Sequence, residues 1–258
     1  MNLAEMSIKE IQSLIEKMDE VPKDFLQWLR HDKRKGVNEL ARRIEAAQAK
    51  QTRLIEQWEE MTTYERLYRS QGKTHVFGVD EVGRGPLAGP VVASAVCLRA
   101  DFYLPGLNDS KKVPPAMREA FYDVITRDAI AIGIGVVSAE RIDEINILQA
   151  TREAMRLAIE QVTVQPDICL IDAVQLPDLP CEQVAIIGGD AKSVSIAAAS
   201  IVAKVTRDRL MAEYADTYPM YGFEHNAGYG TAEHLQALET YGPCPLHRRT
   251  FTGVKEKA

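Results

Sequence analysis

In residues 1–72 the apolar positions recur three and four apart: Ile8, Ile11, Leu14 and Ile15, then Leu40 and Ile44, then Leu54, Ile55 and Trp58. That spacing gathers them on one helical face and predicts two or three amphipathic helices, broken near Pro22 and Gly36. From Lys73 the pattern changes. THVFGVDE and GPVVASAVCL read as two valine-rich strands, PPAMREAFYDVITRD as a helix with prolines at its start, and AIAIGIGVVS as a third strand. ILQATREAMRLAIEQV carries helical spacing, DICLIDA and QVAIIGGDA read as short strands, and a long helix is expected from about Ser193 to Tyr214. Strands cluster first and then alternate with helices, so the expected class is α/β with a mixed sheet. The expected organisation is a helical extension over 1–72 and a second domain over 73–258.

Charge follows the same division. Residues 1–72 hold 13 acidic and 13 basic side chains, so the whole net charge of −6 lies after residue 72. An acidic total counts against binding nucleic acid by net field alone, but it allows a local basic groove beside acidic metal ligands. With 258 residues, 46% of them hydrophobic, the chain is long and apolar enough to bury a core, which excludes disorder throughout. No run of about 20 apolar residues is present, and MNLAEMSIKEIQ lacks the basic start and apolar centre of a secretory signal. We therefore expect a soluble, cytoplasmic protein. Cys97, Cys169, Cys181 and Cys244 form no CxxC pair and read as free thiols rather than a zinc site.

Four carboxylates stand at or beside the ends of expected strands: Asp80 and Glu81 close the first, Asp172 closes DICLID, and Asp190 follows VAIIGG. Adjacent strands bring such ends together, and clustered carboxylates repel unless a cation neutralises them. Hard divalent ions take oxygen ligands of this kind, and a pair of them about 4 Å apart suits in-line attack on a phosphodiester. Aspartates also terminate strands simply as turn residues, and that alternative stays open on spacing alone. The loop Gly83-Arg84-Gly85-Pro86-Leu87-Ala88-Gly89-Pro90 follows the acidic pair. Its GxGxxxG spacing, its two prolines and the strand after it do not match a dinucleotide-binding fingerprint. Such glycines instead let backbone N–H groups approach a phosphate or a sugar hydroxyl.

Taken in order, GVDEVGRGPLAGPVVASAV, NDSKK, GIGVVSAERIDEINI, the aspartate of LIDA, GGDAKSVSIAAASIVAKVTRDRLM, HNAGYGTAEHL and LHRRTF resemble bacterial ribonuclease HII, from about Thr74 to Val254. The GRG triplet is similar to type HII rather than type HIII. The resemblance implies an RNase H-like fold with a mixed central sheet flanked by helices, behind the N-terminal helical extension. It implies cleavage of the RNA strand of RNA–DNA hybrids and of single ribonucleotides embedded in duplex DNA. Asp80, Glu81, Asp172 and Asp190 correspond to the family's four catalytic acids, placed around two Mn²⁺ or Mg²⁺ ions, with Asp80 as the shared ligand.

By the same resemblance Gly83, Arg84 and Gly85 read the ribose 2′-hydroxyl, and Tyr229 packs on the sugar of the following deoxynucleotide. Lys111, Lys192, Ser193, Lys204 and Arg207 correspond to positions near the nucleic-acid backbone; the last two, three apart on one helix, are expected to share a face. His225, His234 and His247 are expected in structural or phosphate-adjacent roles, not as metal ligands. The family match stops short of residues 1–72, where Arg30–Lys35 could touch a duplex or the helices could only pack. Nothing in the sequence demands more than a monomer. Two other readings stay open: a type-HIII-like general hybrid nuclease, and a hybrid-binding module without catalysis.

Overall fold

The computed structural model describes residues 5–18 and 21–256. The chain divides after Gln57 into two compact units. In the first, α1 (Ile8–Ile15), α2 (Lys23–His31) and most of α3 (Lys35–Met61) enclose Ile11, Leu29, Val37 and Ala41. Ser7 starts α1 through a reciprocal capping box with Glu10, and α2 begins directly after Pro22. The second break falls near Gly36, over residues 32–34, with Gly36 itself just inside the next helix. Within it the Asp32 carboxylate accepts the Arg34 backbone N–H and guanidinium, both at 2.8 Å. Gly36 belongs to the first turn of α3, where a Cβ would stand 2.7 Å from Ile8 Cδ1. Its smallness serves the approach of α1 rather than a helix break.

The second unit opens with the end of α3 and α4 (Thr63–Ser70) and is built on a five-stranded sheet ordered β3-β2-β1-β4-β5. The strands are β1 (Val76–Val82), β2 (Val91–Cys97), β3 (Ala131–Val137), β4 (Ile168–Asp172) and β5 (Glu182–Ile186). β1, β2 and β3 run antiparallel in sequence, whereas β4 and β5 join β1 in parallel, which gives the mixed sheet the strand order predicted. Between and after the strands come α5 (Pro115–Asp128), α6 (Ala139–Glu160), α7 (Val194–Thr217), α8 (Phe223–Asn226) and α9 (Ala232–Tyr241). Among the described residues no helix is long and apolar enough to cross a membrane.

Both sheet faces are covered. On one, Phe77, Val79 and alternate β2 residues pack on Ala150, Ala154 and Ala158 of α6. On the other, Val96 packs with Ala197, Ala198 and Ile201 of α7 and with Phe121 of α5. The helices sit so close that three strand glycines have no room for a side chain. A Cβ on Gly78 would stand 1.9 Å from the Ser195 carbonyl carbon, and on Gly133 or Gly135 1.9 Å from the carbonyl oxygens of Ala158 or Ala154. α6 is interrupted at Asn146 (φ 67°), whose side-chain oxygen accepts the N–H groups of Leu148 and Gln149 and restarts the helix at Ile147, the residue where the sequence predicts it.

Candidate active site

Parallel pairing of β1 with β4 matches Val79 to Ile171, so one step further Asp80 and Asp172 lie side by side at the strand ends. Asp80, Glu81 and Asp172 each place a carboxylate oxygen within 4.8 Å of the others. Asp80, only 4% exposed, follows Gly78 on the face toward α7, where Ser200 neighbours its carboxyl and donates its hydroxyl proton to Ser110 at 3.0 Å. Asp172 accepts the Gly189 N–H at 2.6 Å, and this bond holds the single 3₁₀ turn Gly189–Ala191 that carries Asp190. Asp190 lines the same cleft, of about 280 Å³, as the other three acids.

The electrostatics are those of a crowded acid cluster. Burial, then Glu81, pushes the Asp80 carboxyl well above the usual carboxylate range. Burial raises Glu81 too, against the pull of Arg84, whose guanidinium lies 3.2 Å from Oε1. The other oxygen, Oε2, is buried with no hydrogen-bond partner. Asp190 is raised by burial, then by Asp109 and Asp172. An orphaned buried carboxylate oxygen beside two more carboxylates fits a hard divalent cation, which would take the oxygens and remove the repulsion.

The remaining expected residues divide between cleft and interior. Gly83, Arg84, Gly85, Lys111, Lys204 and Tyr229 line the cleft with the acids. The Tyr229 ring lies against Gly85, where a Cβ would meet it at 3.7 Å, and the residue is 44% exposed. Lys204 bonds Asp208 at 2.6 Å. Lys192, Ser193 and Arg207 do not line it. Lys192 Nζ donates to the Ile187 carbonyl. Ser193 is fully buried: it accepts the Ile196 N–H as the N-cap of α7 and donates to Glu65. Arg207, expected near a phosphate and on the face of Lys204, is fully buried and donates to the carbonyls of Pro90, Ala88 and Ala227. A position three residues away turns far enough round the helix for Arg207 to enter the core while Lys204 reaches the cleft.

Sequence reasoning missed three contributors. Asp109, in NDSKK, borders Asp190. Glu65 of α4 accepts the Ser193 hydroxyl at 2.5 Å and the Ser195 N–H at 2.9 Å, fastening the start of α7 just beyond Asp190. Arg248, in LHRRTF, is fully buried beneath the Gly83–Pro90 loop, and burial next to Arg207 pushes its guanidinium down to about 9. Asp109 and Arg248 lie in motifs the sequence singles out. Glu65 carries no such signal, because its partners are more than a hundred residues away.

Comparison with known proteins agrees with this geometry. The family model described as ribonuclease HII matches residues 77–254, and that of the ribonuclease HII N-terminal domain matches residues 7–69, so the likeness does extend into the helical segment where the sequence reading had it stop. The chain is 52% identical over 250 residues to ribonuclease HII of Bacillus subtilis (strain 168), covering 97% of this chain and 98% of that one. It is 50% identical over 255 residues to ribonuclease HII of Bacillus cytotoxicus, covering 98% of each. Among solved structures it resembles ribonuclease H2 from Pyrococcus horikoshii OT3 (TM-score 0.58, 26% identity, 70% of this chain and 95% of that one). It shares its fold with Bst-RNase HIII in complex with Mn²⁺ (TM-score 0.56, 16% identity, 72% of this chain and 69% of that one).

Proposed function

Because this chain belongs to the ribonuclease HII family, we propose that it cleaves the RNA strand of RNA–DNA hybrids and nicks duplex DNA on the 5′ side of a single embedded ribonucleotide, leaving 3′-hydroxyl and 5′-phosphate ends. The observation that carries this reading is the convergence of Asp80, Glu81 and Asp172 within 4.8 Å, beside a loop of glycines and an exposed tyrosine. Asp80, Glu81, Asp172 and Asp190 would hold the divalent cations, Mn²⁺ or Mg²⁺. Bound there, such ions supply Lewis-acid polarisation of the phosphodiester and of the attacking water.

The chain's own residues do the rest. Asp80 and Asp172 are fixed by the parallel register and cannot drift apart. Gly189 N–H, held on Asp172, keeps Asp190 at the rim. The Gly83–Gly85 backbone faces the cleft, close enough for its N–H groups to meet a 2′-hydroxyl, the sugar feature that separates RNA from DNA. Tyr229 offers an aromatic face to the adjacent deoxyribose, and Lys111 and Lys204 line the cleft as cations for flanking phosphates. The protein would work as a monomer in the cytoplasm.

The test is a labelled DNA duplex with one ribonucleotide, incubated with Mn²⁺, Mg²⁺ or EDTA, beside an all-DNA duplex and a long RNA–DNA hybrid. We expect a metal-dependent nick 5′ to the lone ribonucleotide. Cleavage of the long hybrid alone would replace this reading with a type-HIII-like general hybrid nuclease, and binding without cleavage in either metal with a catalytically idle module.

A further inference from the structure

The loop Gly83–Pro90 has its carbonyl groups gathered from beneath. The Arg248 guanidinium uses all five of its N–H groups: on Arg84 and Pro86 through Nη1, on Gly83 and Gly89 through Nη2, and on Gly89 again through Nε, at 2.5 to 3.0 Å. The Arg248 backbone N–H takes the Leu87 carbonyl at 2.9 Å, and Arg207 takes those of Ala88 and Pro90. Neither arginine hydrogen-bonds a carboxylate among the described residues. Each has instead become the hub of a backbone loop.

The consequence follows from peptide geometry. The chain has no cis peptide bond among the described residues, and in a trans peptide the N–H points opposite the C=O. With the Gly83 and Arg84 carbonyls drawn onto Arg248, the N–H groups of Arg84 and Gly85 point away from it. Among the described residues these two N–H groups have no partner, while Leu87, Ala88 and Gly89 donate within the fold. Both residues line the cleft of the acids. Successive outward N–H groups form a concavity suited to an oxygen ligand. Gly83 is indispensable here: at φ +92° a Cβ would stand 2.3 Å from Arg207 Nε.

We propose that Arg248 is the positioning residue for sugar discrimination: by holding the loop carbonyls inward, its guanidinium presents the Arg84 and Gly85 N–H groups to the ribose 2′-hydroxyl. It touches no substrate itself. A lysine keeps the charge but offers three donors from one point, so it cannot hold four carbonyls in a planar fork. This inference rests on the ribonuclease reading of the cleft.

The experiment compares wild type, Arg248→Lys and Arg248→Ala by fluorescence anisotropy in Ca²⁺, using a single-ribonucleotide duplex and its all-DNA counterpart, with nicking rates in Mn²⁺ alongside. Wild type should prefer the ribonucleotide duplex. The preference should fall about tenfold in both variants, as expected for two lost hydrogen bonds of about 0.7 kcal/mol each. Millimolar guanidinium, but not equal NaCl, should restore it in Arg248→Ala. A wild type without preference would sink the ribonuclease reading and this inference with it. Preference kept in folded Arg248→Lys and Arg248→Ala would overturn the inference alone. If neither variant folds, amide exchange on wild type decides: Arg84 and Gly85 N–H should exchange fast in the free protein and be protected by the ribonucleotide duplex only. Equal protection by all-DNA duplex would overturn it.

Discussion

His234 Nε2 and His247 Nε2 stand 2.9 Å apart in the protein interior, and only one neutral proton arrangement satisfies both rings. The Cys244 backbone N–H donates to His247 Nδ1 at 3.0 Å, so His247 carries its proton on Nε2 and donates to His234. His234 then holds its proton on Nδ1 and donates to the Tyr229 carbonyl at 2.9 Å. A chain of three hydrogen bonds thus fixes the backbone of the tyrosine that borders the cleft. Both rings are buried and bonded within the fold, the structural role the sequence led us to expect.

That chain makes the fold acid-sensitive. Burial, then the neighbouring ring, holds His247 down to about 4, and burial lowers His234 as well. A histidine with a depressed folded value contributes stability that is present above its unfolded value and is lost as pH falls toward the folded one. The window is therefore from about pH 6.5 down to about 4. Over it His247 alone should lose up to roughly 3 kcal/mol, at about 1.4 kcal/mol per unit. Thermal melts of wild type and His247→Asn from pH 7.5 to 4.5 check this, with the difference between them isolating the histidine. Parallel curves would refute the assignment.

Metal-free protein should be stabilised by removing a candidate ligand. Asp80→Asn takes its buried carboxyl out of a trio whose mutual repulsion is opposed only in part, by Arg84 at Glu81. In EDTA we expect a higher Tm than wild type, together with complete loss of nicking. Adding Mn²⁺ should raise the Tm of wild type, because a ligand bound only to the native state stabilises it. The variant should respond little. A variant that melts lower in EDTA, or gains as much from Mn²⁺, would count against the acids as the metal site.

Glu65 ties α4 to the start of α7. Fully buried, it accepts the Ser193 hydroxyl and the Ser195 N–H, and its second oxygen has no hydrogen-bond partner. Glu65→Ala leaves two buried donors unmet and should cost about 2–4 kcal/mol in urea unfolding. Glu65→Gln keeps an acceptor and should recover more than half of that loss. If the two variants are equally destabilised, the charge rather than the hydrogen bonds is what matters there.

The sequence made the mixed sheet legible because the apolar runs are short, valine-rich and separated by turn residues. The acids were legible for the same reason: a strand end is a fixed address, and Asp80 and Asp172 share one through register. What could not be seen were side chains whose partners come from far along the chain. Arg207 looked like a surface cation because helical spacing gives direction around an axis but not what lies in that direction. The break near Gly36 was legible, but the close approach of Ile8 to that glycine is invisible in a local window. Glu65 sits in a strongly charged segment where every acid reads as solvated, yet it is fully buried.

Gly78 links the fold to the cleft most directly, and its replacement separates steric from conformational cost. A Cβ there would stand 1.9 Å from the Ser195 carbonyl carbon and 2.2 Å from the Ile196 nitrogen, both backbone atoms that cannot rotate away. Gly78→Ala must therefore push β1 and α7 apart, drawing Ser200 off Asp80 two residues further along the strand. We expect a loss of about 3–5 kcal/mol or failure to fold, as for other overpacked cores. Gly72→Ala is the control: its φ of +85° disfavours a side chain, but nothing lies within 4 Å. That variant should cost only about 1 kcal/mol. Urea unfolding of both decides the matter, and a Gly78→Ala variant as stable as Gly72→Ala would mean that α7 does not pack on β1 at backbone distance.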